Sequence, residues 1–208
     1  LEHDFENSWN REKNFVELVY NQMARDAGIN VAESRLIQES GRTHFASKRF
    51  DRVNNQKVHQ QTVHALSGFY GRNNQFSYTD IFGIIEFLNL PYFNAEQLFK
   101  QMAFNVAASN RDDHTKNFSF LMTREGEWSL SPAYDLTFPF DPYLNFYLPH
   151  QISINGKTKD INREDLMEVA ELAGIRNSQS VINEVIEQVS TFRNRIAQYN
   201  LKKKTVEL

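Results

Sequence analysis

The feature that most constrains this 208-residue sequence is a polar octapeptide at its centre, Asn-Arg-Asp-Asp-His-Thr-Lys-Asn at residues 110–117. Residues 95–108, directly before it, repeat apolar side chains at helical spacing. After it, residues 118–122 and 128–132 alternate between apolar and polar side chains. A glycine-containing turn joins them, which predicts a β-hairpin. We therefore expect a helix, a polar loop held between two apolar elements, and a hairpin followed by Asp135.

The loop carries the residue types that phosphoryl transfer requires. In such a reaction one carboxylate orients the attacking hydroxyl, while an asparagine and a second carboxylate hold the metal ions that neutralise the phosphates. Asp112 and Asn117 have the separation of the base and the metal-binding asparagine in protein kinases. Asp135 follows the hairpin, where a metal-binding aspartate belongs, and Lys116 can meet phosphate charge. The pattern predicts a kinase-like site.

Two alternatives remain open from the residues alone. A metal-dependent hydrolase could use Asp112, Asp113, His114 and Asp135, although such sites usually have further histidine or carboxylate ligands at reinforcing spacing. The Asp-Asp-His sequence could also simply cap a following turn. The kinase interpretation is favoured because the loop is bounded by two apolar elements that would hold it rigidly.

Composition excludes several classes of function. The net charge of −3 shows no basic bias, so we expect no direct binding of nucleic acid. The absence of cysteine excludes disulfides and thiolate zinc sites, and it predicts a cytoplasmic protein. No apolar run reaches membrane-spanning length, so no membrane association is expected. Because the sequence does not begin with Met, we expect a piece of a longer polypeptide.

Apolar periodicity along the chain predicts an α+β, mostly helical domain. Thr79 and Asn94 are the expected N-caps of two of its helices. His59 and His64 lie five residues apart and do not share a helix face, so no metal site is predicted there. Residues 54–56 and 136–148 are expected to be loops, and residues 202–204 a frayed tail. Helices are expected at 11–27, 58–68, 79–90, 95–108, 162–173 and 177–199, and strands at 31–37, 43–50, 118–122, 128–132 and in a hairpin at 151–157 with an Asn-Gly turn.

Two further positions have ambiguous patterns. Glu17 lies beside the apolar stripe of the first helix, where an acidic side chain usually belongs to a solvated face. Residues 48–52, Lys-Arg-Phe-Asp-Arg, end the second strand with four charges around one phenylalanine. Taken alone, this segment is typical of a strand end that enters solvent.

The central motif, continued as Phe-Ser-Phe-Leu and followed by Leu-Ser-Pro-Ala-Tyr-Asp-Leu at 130–136, resembles the C-terminal kinase region of HipA-like serine/threonine kinases. These kinases are the toxins of bacterial toxin–antitoxin pairs. The resemblance runs from about residue 12 to the last helix. Residues 48–52 resemble the family's Arg-Phe-Asp-Arg hinge, whose backbone meets the adenine. The resemblance implies a protein-kinase-like helical large lobe at 53–208, a small-lobe remnant and hinge at 1–52, and ATP between them.

The resemblance also implies roles for individual residues. Asp112 matches the catalytic base, and Asn117 and Asp135 match the magnesium ligands. Residues 114–117 match the loop along the nucleotide phosphates, and Glu17 matches a glutamate that faces the nucleotide-binding lysine. The ATP-binding residues implied in this way are Glu17, Lys48, Arg49, Phe50, His114, Thr115, Lys116, Asn117 and Tyr134.

One part of the family pattern is missing from the sequence. The phosphate-covering loop and the lysine that grips the nucleotide phosphates lie upstream of the front helix in the family, and nothing before Arg11 matches either. The chain alone is therefore expected to bind ATP weakly or not at all, as a fragment or as one half of a split kinase. A catalytically inactive module that binds a partner is the alternative. The family implies a helix-turn-helix antitoxin as partner and a protein substrate, with aminoacyl-tRNA synthetases as one substrate class.

Overall fold

The computed structural model describes residues 2–68, 76–139 and 148–201, with side chains from residue 12 onward. It confirms the α+β class with small antiparallel sheets. No helix in these ranges is both long and apolar enough to cross a bilayer. The helices are α1 (Glu2–Asp26), α2 (Val63–Ser67), α3 (Tyr78–Phe87), α4 (Tyr92–Ala107), α5 (Arg163–Leu172), α6 (Ser178–Ser190) and α7 (Phe192–Ala197). The strands are β1 (Ser34–Glu39), β2 (Arg42–Ser47), β3 (Arg52–Val53), β4 (Gln56–Lys57), β5 (His59–Thr62), β6 (Ser119–Met122) and β7 (Trp128–Leu130).

The front β unit is the hairpin expected from the sequence. The turn expected between the two predicted strands, at Glu39-Ser40-Gly41-Arg42, is confirmed, because β1 and β2 pair antiparallel with Glu39 opposite Arg42. Ser40 and Gly41 both have positive φ, at 50° and 76°, as a two-residue hairpin turn requires. The side-chain amide of Asn14 on α1 donates to the carbonyl of Thr43 over 2.9 Å. This bond fixes the helix that carries Glu17 against the hairpin.

The loop expected at 54–56 is the turn of a second, very short hairpin. Strands β3 and β4 pair with Val53 opposite Gln56, and Asn54 and Asn55 have positive φ of 50° and 62°. Asparagine tolerates this left-handed conformation better than most residues, which makes an Asn-Asn turn favourable. The sequence prediction missed the pairing because the flanking strands are only two residues long.

The helix expected at 58–68 is wrong for its first half. Residues 59–62 form β5, which pairs with β6 so that Gln61 lies opposite Phe120 in a sheet of order β5-β6-β7. Only Val63–Ser67 is helical, and the hydroxyl of Thr62 caps it by accepting from the backbone N–H of Ala65 at 3.1 Å. The sequence of β5 is polar and lacks the pattern of a strand. Its extended conformation comes from pairing with β6, which a local pattern does not reveal.

The helical core lies beneath the central loop. Leu98, Phe99 and Met102 of α4 are fully buried. The ring of Tyr20 on α1 packs edge-to-face on Phe104 at 5.9 Å, and its hydroxyl donates to the carbonyl of Ala108 at 2.6 Å. Helix α1 is thereby tied to the end of α4, where the loop begins.

Several helix boundaries differ from the predicted ones. Helix α1 begins at Glu2, not at Arg11. The N-cap of α3 is Ser77, which forms a capping box with Asp80, and not Thr79. Helix α4 starts directly after Pro91, so Asn94 lies inside its first turn, where its Oδ1 accepts from the backbone N–H of Leu130 at 2.8 Å. This bond joins α4 to the central hairpin.

The last predicted helix is interrupted at Thr191, which separates α6 from α7. The Thr191 hydroxyl donates to the carbonyl of Gln188 at 2.5 Å, and the Ser190 hydroxyl donates to Glu187 at 2.6 Å. Such side-chain bonds compete with the backbone ladder of a helix. The helix expected at 162–173 is confirmed with Asn162 as N-cap. The tail at 202–204 and residues 140–147 of the predicted loop lie outside the described residues.

Candidate functional site

The central loop leaves α4 through a buried chain of amide and hydroxyl groups. Asn110 Nδ2 donates to Asn105 Oδ1 at 3.0 Å, and Asn105 Nδ2 donates to the hydroxyl of Tyr78 at the same distance. The loop closes with a 3₁₀ turn at Thr115–Asn117, where the N–H of Asn117 donates to the carbonyl of His114 at 2.8 Å. The loop is therefore fixed at both ends.

Asp112 and Asn117 are joined directly. Asn117 is buried, with 7% exposure, and its Nδ2 donates to the backbone carbonyl of Asp112 at 2.9 Å. Within the described ranges, nothing donates to Oδ1 of Asn117, which leaves this oxygen for a ligand. The side chain of Asp112 is 45% exposed. The loop thus holds the Asp112 backbone and presents its carboxylate at the surface.

Asp113 points the opposite way, into the core. Its Oδ1 accepts from the N–H of Gln151 at 2.8 Å, and its Oδ2 lies 2.9 Å from His150 Nδ1 and 3.3 Å from the hydroxyl of Tyr78. All of this bonding is internal, so Asp113 has a structural role. Among the described residues, no group of three or more His, Cys, Asp and Glu side chains is placed to hold a metal ion. The hydrolase alternative, which needs Asp113 as a ligand, is therefore disfavoured.

Tyr134 brings the segment after the hairpin back to the loop. Its hydroxyl donates to the carbonyl of Lys116 at 2.6 Å. Burial raises the pKa of this phenol; the Ser119 hydroxyl lowers it, and the charge of Asp135 raises it further. Asp135 itself is exposed and has a positive φ of 56°, a conformation that aspartate tolerates better than most residues.

Glu17 and Asp135 lie close enough for their negative charges to interact. Burial raises the pKa of Glu17, the negative charge of Asp135 raises it further, and Lys13 offsets part of this effect. Within the described ranges, the Asp135 carboxylate makes no hydrogen bond and no ion pair. Among the described residues, Lys13 offsets only part of the negative charge of these two acids. Carboxylate and amide oxygens are the ligand types that Mg²⁺ prefers, and Asp135 and Asn117 carry one of each.

The predicted hinge meets the loop through aromatic contact. The ring of Phe50 lies 5.5 Å from that of Tyr134, tilted by 38°. Arg49 forms a two-point ion pair with Asp51, at 2.9 and 2.7 Å, and the backbone N–H of Lys48 donates to Glu33 at 2.8 Å. The side chains of Lys48 and Arg49 are exposed. Of the predicted hinge residues, Phe50 packs on Tyr134, whose hydroxyl in turn bonds to the loop at Lys116.

The remaining predicted residues lie on the 3₁₀ turn or just before it. Lys116 is exposed, Thr115 is half-buried, and the Nε2 atom of His114 is 3.9 Å from Asp112 Oδ1. The Nδ1 atom of His114 is buried without a hydrogen-bond partner. Within the described part of the chain, no hydrogen bond joins these three side chains to one another.

Residues 148–154, the supporting segment, contribute to the site and were missed from the sequence. Arg111 Nη1 donates to the carbonyl of Leu148 at 2.8 Å, and Gln151 Nε2 donates to Asp112 Oδ1 at 2.7 Å. These partners are 37 and 39 residues apart in the chain. No local pattern signals such contacts, because only the folded chain brings the segment to the loop.

Comparison with known proteins supports this assignment of the fold. A family model described as HipA-like C-terminal domain matches residues 3–196, which confirms the resemblance found in the sequence. HipA of Shewanella oneidensis MR-1, solved with HipB and operator DNA, is similar with a TM-score of 0.71 and 18% identity, over 93% of this chain and 52% of that chain. The kinase CtkA of Helicobacter pylori, described as proinflammatory, has a TM-score of 0.57 and 13% identity, over 89% and 85%.

These likenesses have clear limits. At such identities they show the fold alone, and this chain spans about half the length of the Shewanella HipA chain. No curated protein matches the sequence. The expectation of no direct binding to nucleic acid is not borne out, because the similar HipA chain was solved in a complex that contains operator DNA.

Proposed function

Because this chain belongs to the HipA-like C-terminal domain family, we propose that it is the large-lobe part of an ATP- and magnesium-dependent kinase that phosphorylates a protein serine or threonine. The observation that carries this proposal is the bond from Asn117 to the Asp112 carbonyl, which fixes the loop while the Asp112 carboxylate stays at the surface. The kinase fold of the CtkA neighbour supports it.

In this proposal Asp112 accepts the proton of the substrate hydroxyl. The hydroxyl oxygen forms a bond to the γ-phosphorus of ATP as the bond from that phosphorus to the bridging oxygen breaks, and ADP leaves. Asn117 and Asp135 hold the magnesium, which neutralises phosphate charge. Proton acceptance requires an exposed, oriented carboxylate, and Asp112 provides one.

The other residues are assigned to the nucleotide. His114, Thr115 and Lys116 lie along the phosphates, where the exposed ammonium of Lys116 can approach them. Residues 48–50 meet the adenine with their backbone, and the Phe50–Tyr134 contact closes this end of the site. Glu17 pairs with a lysine that lies outside this chain, which would relieve its repulsion with Asp135.

We also propose that the rest of the kinase, in the same polypeptide or in another, supplies the phosphate-covering loop and that lysine. The similarity to a HipA chain of about twice the length motivates this part of the proposal. The HipA neighbour was solved with HipB, which supports an antitoxin partner and a toxin–antitoxin role. A cytoplasmic location is part of the same proposal. The substrate belongs to the class of proteins with an accessible serine or threonine, aminoacyl-tRNA synthetases among them.

A catalytically inactive, partner-binding module is the second candidate. Its motivation is the uncompensated Glu17–Asp135 pair, since neither acid is neutralised by a described lysine or arginine except in part by Lys13. A module of this kind needs no bound nucleotide.

Calorimetry with magnesium and ATP separates the two candidates. We expect the full-length protein to bind the nucleotide, and Asp135→Asn to weaken binding at least about tenfold. Asp160→Asn, at an exposed aspartate that also has positive φ, is the matched control and should bind as the wild type does. An absence of heat for the wild-type protein at millimolar ligand contradicts the kinase proposal and favours the binding module.

A further inference from the structure

Gln151, on the supporting segment, is placed against the carboxylate of Asp112. We infer that Gln151 is a positioning residue for phosphoryl transfer: it holds Oδ1 of Asp112 so that Oδ2 is left for the substrate hydroxyl. This inference rests on the proposed kinase function. Gln151 Nε2 donates to Oδ1 of Asp112 at 2.7 Å.

Gln151 is the side chain that restrains this carboxylate. Within the described ranges no other side chain hydrogen-bonds to it, because His114 Nε2 at 3.9 Å is too distant. Asn117 fixes only the backbone of Asp112. Since the side chain is 45% exposed, packing does not prevent its rotation. Without Gln151 the carboxylate would sample several rotamers.

The backbone of Gln151 is itself fixed by a buried carboxylate. Its N–H donates to Asp113 Oδ1 at 2.8 Å. The other oxygen of Asp113 lies 2.9 Å from His150 Nδ1, and because a carboxylate only accepts, the ring nitrogen is the donor. The hydroxyl of Tyr78 adds a bond at 3.3 Å. Asp113, which faces the core, therefore anchors Gln151, and Gln151 orients Asp112, which faces the surface.

The rest of the supporting segment cannot slide along the loop. Ile152 and Ile154 are fully buried. Between them, the N–H of Ser153 donates to the carbonyl of Phe76 at 2.8 Å, and the N–H of Tyr78 donates to the carbonyl of Ser153 at 3.0 Å. A side chain on such a backbone can hold its partner to the tolerance that catalytic orientation requires.

A positioning role and a stabilising role predict different results. The Gln151–Asp112 contact is exposed, so its loss should hardly change stability. Phosphoryl transfer depends strongly on the placement of the base, so loss of the contact should lower kcat. The binding of ATP does not involve this contact, so KM for ATP should stay constant.

The test uses the full-length protein with labelled magnesium ATP and myelin basic protein as a generic serine/threonine acceptor. Gln151→Met keeps the length of the side chain and removes the donor, and Gln151→Glu places a second carboxylate against Asp112. We expect kcat to fall about tenfold for the methionine variant and further for the glutamate variant, with KM for ATP within about twofold and Tm unchanged. Gln179→Met, at an exposed glutamine of α6 that bonds to Asn183 at 3.3 Å, is the matched control.

Several outcomes overturn the inference while the kinase proposal stands. For Gln151→Met these are a kcat within twofold of the wild type, a rise in KM for ATP that accounts for the whole loss of activity, or a fall in Tm that accompanies the fall in kcat. A fall in kcat of the same size in the Gln179→Met control also overturns it. Failure of the kinase proposal is recognised separately, because the wild-type protein would then transfer no phosphate.

Discussion

The hydroxyl of Tyr134 donates a hydrogen bond of 2.6 Å to the backbone carbonyl of Lys116. Because its proton is engaged there, the hydroxyl of Ser119, also at 2.6 Å, is the donor to the same phenol oxygen. Strand β6, the 3₁₀ turn and the residue before Asp135 thus meet at one atom. This relationship links the backbone at Asp135 to the loop that carries Asp112 and Asn117.

Replacing Tyr134 by phenylalanine should loosen this junction. The variant loses both hydrogen bonds of a half-buried group, so we expect the free energy of unfolding to fall by about 1–2 kcal/mol. Affinity for magnesium ATP should also fall, because the proposed magnesium ligands Asn117 and Asp135 would be less well aligned. Urea unfolding and calorimetry measure the two effects. Tyr92→Phe, on α4, removes a hydroxyl that accepts from the backbone N–H of Arg176 at 2.8 Å, and it should lose stability without loss of affinity.

Asp113 should contribute to folding stability, because its carboxylate bonds only to buried partners and does not face the substrate side of the loop. Asp113→Asn replaces one acceptor oxygen by an NH₂ group. In one orientation of the amide this group faces the N–H of Gln151, and in the other it faces His150 and Tyr78, so a donor meets a donor in either case. Leaving such buried groups unsatisfied should cost about 3 kcal/mol of stability. Urea unfolding of this variant and of the exposed control Asp160→Asn measures the difference. Equal midpoints would show that the buried network is not formed.

Glu17 should make stability depend on pH in a defined direction. Its pKa is raised in the folded chain by burial and by the charge of Asp135, so the folded state binds the proton more tightly than the unfolded state does. The contribution of Glu17 to the free energy of unfolding is therefore fully present below the pKa that this group has in the unfolded chain. It is lost as the pH rises through the pKa that the group has in the folded chain.

Glu17→Gln should reduce this loss and raise Tm at neutral pH, because the glutamine does not repel Asp135. Thermal unfolding of both proteins between about pH 4 and pH 8 tests the direction. A wild-type Tm that does not fall relative to the variant as pH rises would mean that neither burial nor the charge of Asp135 raises the pKa of Glu17 in solution.

The sequence predicts the elements that local patterns determine, and it does not predict those that depend on contacts between distant parts of the chain. The hairpin at β6 and β7, the front hairpin and α5 follow from apolar patterns and capping residues that act locally. Strand β5 could not be predicted, because its polar residues take their conformation from pairing with β6. The break at Thr191 depends on side-chain bonds that a helical pattern does not reveal.

The residues of the candidate site also fall into two groups, those that the sequence predicts and those that only tertiary contacts reveal. The spacing of Asp112, Asn117 and Asp135 is visible in the sequence because kinase chemistry requires those residue types in that order. The opposite directions of Asp112 and Asp113 are not visible, although the two are neighbours. Gln151 and His150 lie far along the chain from the loop they support, so their contribution depends on tertiary contact alone.

Phosphoryl transfer by the full-length protein, with and without the Asp112→Asn substitution, tests the central claim most directly. With labelled magnesium ATP and a serine- and threonine-containing acceptor, we predict transfer by the wild type and a loss of at least about a thousandfold in kcat for the variant. Nucleotide affinity and Tm should stay near those of the wild type, as they should in the Asp160→Asn control. A variant that transfers phosphate at the wild-type rate would contradict the assignment of Asp112 as the base.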